Sequence, residues 1–111
     1  MAIRDNFDPA KTLKKREFVV EDYLKEKIEG IGGKCYKFVS PGYDGMPDRL
    51  IVCKGSVIFV ECKRPGKKPR KLQEVRLKEI RDQGVPAFCV DSKNQVDLLV
   101  ARLTGLGCVH D

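Results

Sequence analysis

From Asp8 to about Glu29 the apolar positions Leu13, Val20, Leu24 and Ile28 recur at helical spacing and form one inward stripe. Asp8 stands as N-cap and Pro9 in the first turn, where a missing N–H costs nothing. The Gly-rich "GIGG" ends the run. The gap in the stripe is filled by Glu17, either an acid at the stripe's edge reaching water or an acid on the inner face, and helical geometry alone leaves both open. Beyond the break the period becomes two. "KCYKFVS" at 34–40 alternates and is rich in β-formers, so it predicts a strand. "PGYDGMP" at 41–47 holds two prolines and two glycines and predicts a loop.

Arg49 to Cys53 and Val57 to Lys63 predict two strands joined by Lys54-Gly55-Ser56, a hairpin. The second strand is apolar on both faces through its middle, which predicts a central position in the sheet. Its side chains alternate, with Val57, Phe59, Glu61 and Lys63 on one face and Ile58, Val60 and Cys62 on the other. "KLQEVRLKEIRDQG" at 71–84 predicts a helix with Leu72, Val75 and Ile80 inward and Gly84 at its exit. "VPAFCV" at 85–90 predicts a strand. Ser92 and Gln95, at capping-box spacing, open a last helix with an apolar face of Val96, Leu99, Val100 and Leu103. The order α-β-β-β-α-β-α, with a right-handed crossover between its last two strands, predicts an α/β fold: one mixed β-sheet flanked by helices.

Length sets the scale of this reading: 111 residues make a single domain, 1–111, with room for a real core and use for a partner subunit. No stretch approaches the ~20 apolar residues of a membrane span, and "MAIRDNFDPAK" lacks the apolar core of a signal peptide. A cytoplasmic protein with no membrane partner is expected. Its five cysteines, Cys35, Cys53, Cys62, Cys89 and Cys108, are odd in number and include no C-x-x-C pair. They read as reduced, mostly buried thiols. The one histidine, His110, leaves too few parts for a histidine metal site or a Ser-His triad.

Charge changes the picture more. The net charge is +6, and "KRPGKKPRK" at 63–71 holds six of the 22 basic residues, leaving 16 basic against 16 acidic elsewhere. The entire excess is therefore local. A basic stretch between a strand and a helix suits nucleic-acid phosphates, although a solvated turn of chance positive bias has the same composition.

The hairpin has charges at its ends, and antiparallel pairing places Asp48, at the start of one strand, beside Glu61 and Lys63 at the end of the next. Two neighbouring carboxylates repel unless a cation or proton lies between them. Oxygen donors without a histidine or thiolate cluster favour Mg²⁺ or Mn²⁺ over zinc. Lys63 would add a cation over this site, and the backbone carbonyl of Cys62 another oxygen. That is a constellation for metal-assisted phosphodiester hydrolysis; a frayed hairpin carrying a surface salt bridge has the same spacing.

"PD", twelve residues and "ECK", after a helix bearing an acid, resemble the PD-(D/E)XK nuclease superfamily, whose fold is restriction-endonuclease-like. More closely, "REFVVEDYL", "GGKCYKFVSPGYDGMPDRLIV", "VIFVECKRPGKKPRKLQEVRL" and "QGVPAFCVDS" resemble the VRR-NUC family in its short stand-alone form from phages and bacteria, over roughly residues 14–100. The resemblance implies Asp48 and Glu61 as metal-binding acids, Cys62 as the donor of a main-chain carbonyl, and Lys63 as the catalytic lysine. Glu17 matches an acid near the metal, directly or through water, and Gln73 a glutamine near the active site. It further implies a divalent-metal-dependent DNA endonuclease, a homodimer acting on branched DNA such as Holliday junctions, with no nucleotide cofactor. Lys67, Lys68, Arg70 and Lys71 are the expected DNA contacts. The rival reading is a non-catalytic DNA-binding module on the same fold, against which the clustered acids, repelling phosphate, stand. The chain departs from the family in its unusually basic, proline-interrupted segment before Gln73 and in lacking any stretch that resembles an appended DNA-targeting domain.

Overall fold

A computed structural model describes the backbone of residues 9–109 and the side chains of residues 19–105. Its elements are α1 (Pro9–Gly30), β1 (Lys34–Lys37), β2 (Arg49–Cys53), β3 (Ser56–Cys62), α2 (Lys71–Asp82), β4 (Ala87–Val90) and α3 (Lys93–Val109). This is the α-β-β-β-α-β-α order that the periodicities predict. The strands form one mixed sheet in the order β1-β2-β3-β4, antiparallel except for the β3–β4 pair, which is parallel.

The hairpin is tighter than expected: Ser56 already pairs with Cys53, so the turn is Lys54-Gly55 alone, with φ of 50° and 84°. Two residues of positive φ are what the right-handed twist of a two-residue hairpin demands. Lys63 falls just past β3, though its N–H still donates to Val90 O at 2.8 Å. β1 ends at Lys37, three residues earlier than the pattern suggests, while Phe38 N–H continues the ladder to Asp48 O at 2.8 Å. Pro86 delays β4 to Ala87, because proline has no N–H to give a ladder.

One face of the sheet carries the main core. Val20, Leu24 and Ile28 of α1 and Val96, Leu99 and Leu103 of α3 pack on Ile51, Ile58, Val60 and Cys62. The predicted stripe of α3 is thus spent inside the chain. Ser92 Oγ caps this helix by accepting from Gln95 N–H at 3.2 Å, while Gln95 Oε1 reaches back to Asp91 N–H instead of that of Ser92.

α2 lies on the opposite face, and here two of the three residues predicted inward are not. Leu72 and Val75 are exposed, at 43% and 45%, whereas Gln73 and Leu77 are buried. The inward row is Gln73, Leu77 and Ile80, at i, i+4 and i+7. A polar residue at the head of that row hides it from a hydrophobicity pattern. Cys35, Cys53 and Cys62 are buried, Cys89 is half-buried, and all four are free thiols. Among the described residues no helix is long and apolar enough to cross a membrane.

Candidate active site

The register carries the site. Arg49 pairs with Val60 at the end of the ladder, and Asp48, in the bend just before it, comes close enough to Glu61 to feel its charge. Asp48 Oδ1 accepts from the Cys62 N–H at 3.1 Å. Asp48 lies in the bend that leads into β2, and Pro47 before it has no N–H to give a strand ladder. The Cys62 thiol points into the core, and burial first, then the charge of Asp48, pushes it well above the ordinary thiol range.

Glu61 is 5% exposed. Its Oε2 accepts from Gln73 Nε2 at 3.1 Å and lies 3.1 Å from Lys63 Nζ, whose side chain is 16% exposed. Gln73 in turn is fixed at both ends, since its Oε1 accepts from Arg70 N–H at 2.8 Å. That bond is half of a capping box with the roles shifted to glutamine, so the start of α2 is tied to the acid it covers. Asp48, Glu61, Cys62, Lys63 and Gln73 therefore converge. Glu17 falls within α1, but its side chain lies outside the described residues.

Burial, and then the negative charge of Glu61, pushes the Asp48 carboxyl up from 3.8 to about 7, against the pull of the Cys62 N–H. The site accordingly holds more negative charge than it can stabilise at neutral pH. For an acid with a raised folded value, the folded state binds the extra proton between pH 4 and 7, so its contribution is full at low pH and is lost as pH rises. A carboxyl titrating at about 7 folded and 3.8 unfolded contributes on the order of 4 kcal/mol over that window. Thermal melts in EDTA are therefore expected to fall from pH 5 to pH 8, and Asp48→Asn to flatten the fall and melt higher than wild type at pH 8. An unchanged slope in Asp48→Asn would show that another group governs it.

Sequence reasoning missed a second charged pair. Arg49 Nη2 donates to Glu21 Oε1 at 2.8 Å, with side chains 11% and 12% exposed. Arg49 shares the core-side face with Ile51, so this largely buried pair ties α1 to β2 one residue from Asp48. A partner removed from such a pair leaves an uncompensated charge. The signal was the Arg directly after "PD", but nothing local pairs it with Glu21.

Lys63, Arg64, Lys67, Lys68 and Arg70 line a hollow of about 210 Å³ beside the acids. Of the expected DNA contacts, three are in this lining; Lys71, the first residue of α2, is exposed outside it. Arg64 also lines the hollow.

Comparison with known proteins fits this geometry. No protein-family model matches the chain. It is 41% identical over 87 residues to the protein named "Putative nuclease p44" of Acyrthosiphon pisum secondary endosymbiont phage 1, covering 78% of this chain and 94% of that one. A solved structure titled "VRR_NUC domain" superposes with a TM-score of 0.72 at 35% identity, over 78% of this chain and 95% of that one. The chain belongs to the VRR-NUC family of nucleases.

Proposed function

We propose that the protein is a divalent-metal-dependent, structure-specific DNA endonuclease that hydrolyses phosphodiester bonds in branched DNA, Holliday junctions among them, as a homodimer in phage or bacterial DNA repair and replication. The observation that carries this reading is the approach of Asp48 to Glu61, close enough for one charge to act on the other, with Lys63 against Glu61. Among the described residues no three His, Cys, Asp or Glu side chains are grouped to hold a metal. Two carboxylates and the Cys62 carbonyl suit an ion that keeps several waters and shares itself with phosphate oxygens, which is the habit of Mg²⁺ and its near relative Mn²⁺. Burial and then the neighbouring Glu61 charge raise the Asp48 carboxyl, and a bound cation would oppose both.

When bound, such an ion supplies Lewis acidity toward the phosphate and a more acidic water. The chain's own groups do the rest. Gln73 fixes the rotamer of Glu61. Lys63 Nζ, held at 3.1 Å from Glu61 Oε2, faces as a cation the charge that develops on the phosphate and helps to position the attacking water. The basic hollow holds the flanking phosphates through Lys67, Lys68 and Arg70, with Lys71 at its margin. Tyr36, Val52 and Val57, exposed on the sheet face beside α2, support pairing of two copies, which would give one substrate two cutting sites.

Labelled four-way junction, flap and linear duplex DNA, each with Mg²⁺, Mn²⁺ or EDTA, test the reading. Cleavage of the branched forms with either metal, none in EDTA, and a dimer mass by light scattering are expected. Equal cutting of linear duplex would remove the structure specificity, and cutting in EDTA the metal.

A further inference from the structure

Arg70 is a shared wall between two hollows that flank the Glu61–Lys63–Gln73 group, and their chemistry differs. The first is the basic one, whose lining side chains are all cationic. The second, of about 280 Å³, is lined by Asp44, Gly45, Arg70, Leu72 and Gln73. Asp44 offsets the one cation of that lining, so it attracts phosphate less than the first hollow does, while Leu72, packed against Gly45, makes a partly apolar wall. Leu72 is the residue that hydrophobic patterning sends inward, yet the structure leaves it 43% exposed at this rim.

The hollow is built before any ligand arrives. The Arg76 guanidinium stacks 3.8 Å from the centroid of the Tyr43 ring, donates to Tyr43 Oη at 2.9 Å, and donates through Nε to Asp44 O at 2.8 Å. The loop of residues 41–47 is thereby fastened to α2. Gly45 has φ of 87°, and a Cβ there would come within 2.8 Å of Leu72 Cγ, so glycine alone allows the backbone to form this wall.

We propose that the second hollow is a nucleobase subsite, which takes the base of a nucleotide flanking the cut phosphate once that base has left the duplex stack. A single strand then passes from the basic hollow, where its phosphates are held, over Arg70 and the acids, to place one base against Leu72 and Gly45. Asp44 offers that base's edge an acceptor, while Gln73, held by Glu61 and the Arg70 N–H, closes the hollow on the side of the acids. The idea rests on the nuclease reading and deepens it: a pocket for one unpaired base favours DNA with unpaired nucleotides at a branch over continuous duplex.

Branched DNA carrying 2-aminopurine, or an abasic residue, at each nucleotide around the branch tests this by binding alone, with the full-length protein in Ca²⁺ and in EDTA. At one position the 2-aminopurine fluorescence should rise on binding, as an unstacked base does. Leu72→Ala should weaken binding of DNA with a base there by about tenfold, leave DNA abasic there unchanged, and Leu72→Met should restore it. No fluorescence rise at any position, or losses from Leu72→Ala that are the same with and without the base, would overturn the subsite. Absence of cleavage with this binding pattern intact would instead count against the catalytic reading.

Discussion

Replacing Lys63 by alanine is expected to lower metal-dependent cleavage by about a thousandfold while changing DNA affinity little. The lysine is not one of the phosphate-holding group alone: its Nζ lies 3.1 Å from Glu61 Oε2, within reach of whatever phosphate meets the two acids. In a site that already pushes Asp48 up to about 7, the cation offsets charge that the reaction increases. Alanine removes it where water screens least, since the side chain is 16% exposed. Glu61 keeps its bond from Gln73 Nε2, so the acid should hold its position in the variant. Single-turnover rates of wild type, Lys63→Ala and Lys63→Arg, beside melting curves, measure the effect. Arginine should recover part of the loss through charge but not the placement, because its planar guanidinium cannot stand where the compact ammonium does. Cleavage by Lys63→Ala within tenfold of wild type would remove Lys63 from the chemistry.

Neutralising Lys67, Lys68, Arg70 and Lys71 together to alanine is expected to weaken DNA binding by about a hundredfold at low salt and to flatten the plot of log affinity against log salt by about three to four, since each phosphate contact contributes close to one. The whole +6 of the chain resides in residues 63–71, and these four side chains carry four of it. Its fold should survive: these side chains make none of the core, and Gln73 uses the backbone N–H of Arg70, not its guanidinium. Titrations at several salt concentrations check both numbers. An unchanged slope would mean that the segment is a solvated turn and that the phosphates lie elsewhere.

The two predictions differ in how far the sequence alone supports them. Charge along 63–71 is a matter of composition, legible without a fold. So are the alternation of Val57 to Lys63, the antiparallel hairpin and the helical stripes of α1 and α3, because period and turn chemistry are local. Antiparallel pairing then brings Asp48 to Glu61 with no knowledge of anything beyond the hairpin. The misplaced inward set of α2 marks where local reasoning fails. Leu72 looks like core and Gln73 like surface, yet the structure reverses them, as a buried amide is favourable only where a partner such as Glu61 Oε2 waits for it.

The sequence by itself thus determined the elements, the antiparallel hairpin, the acids and lysine at its ends, and the basic segment that follows them. Only the tertiary structure decided that Gln73 holds Glu61, that Arg49 anchors α1 through Glu21, that Asp48 titrates near neutrality, and that Arg70 divides a basic hollow from a half-apolar one. Those features arise between elements far apart in the chain, and their energies depend on burial and on charges brought close by packing, neither of which a local period encodes.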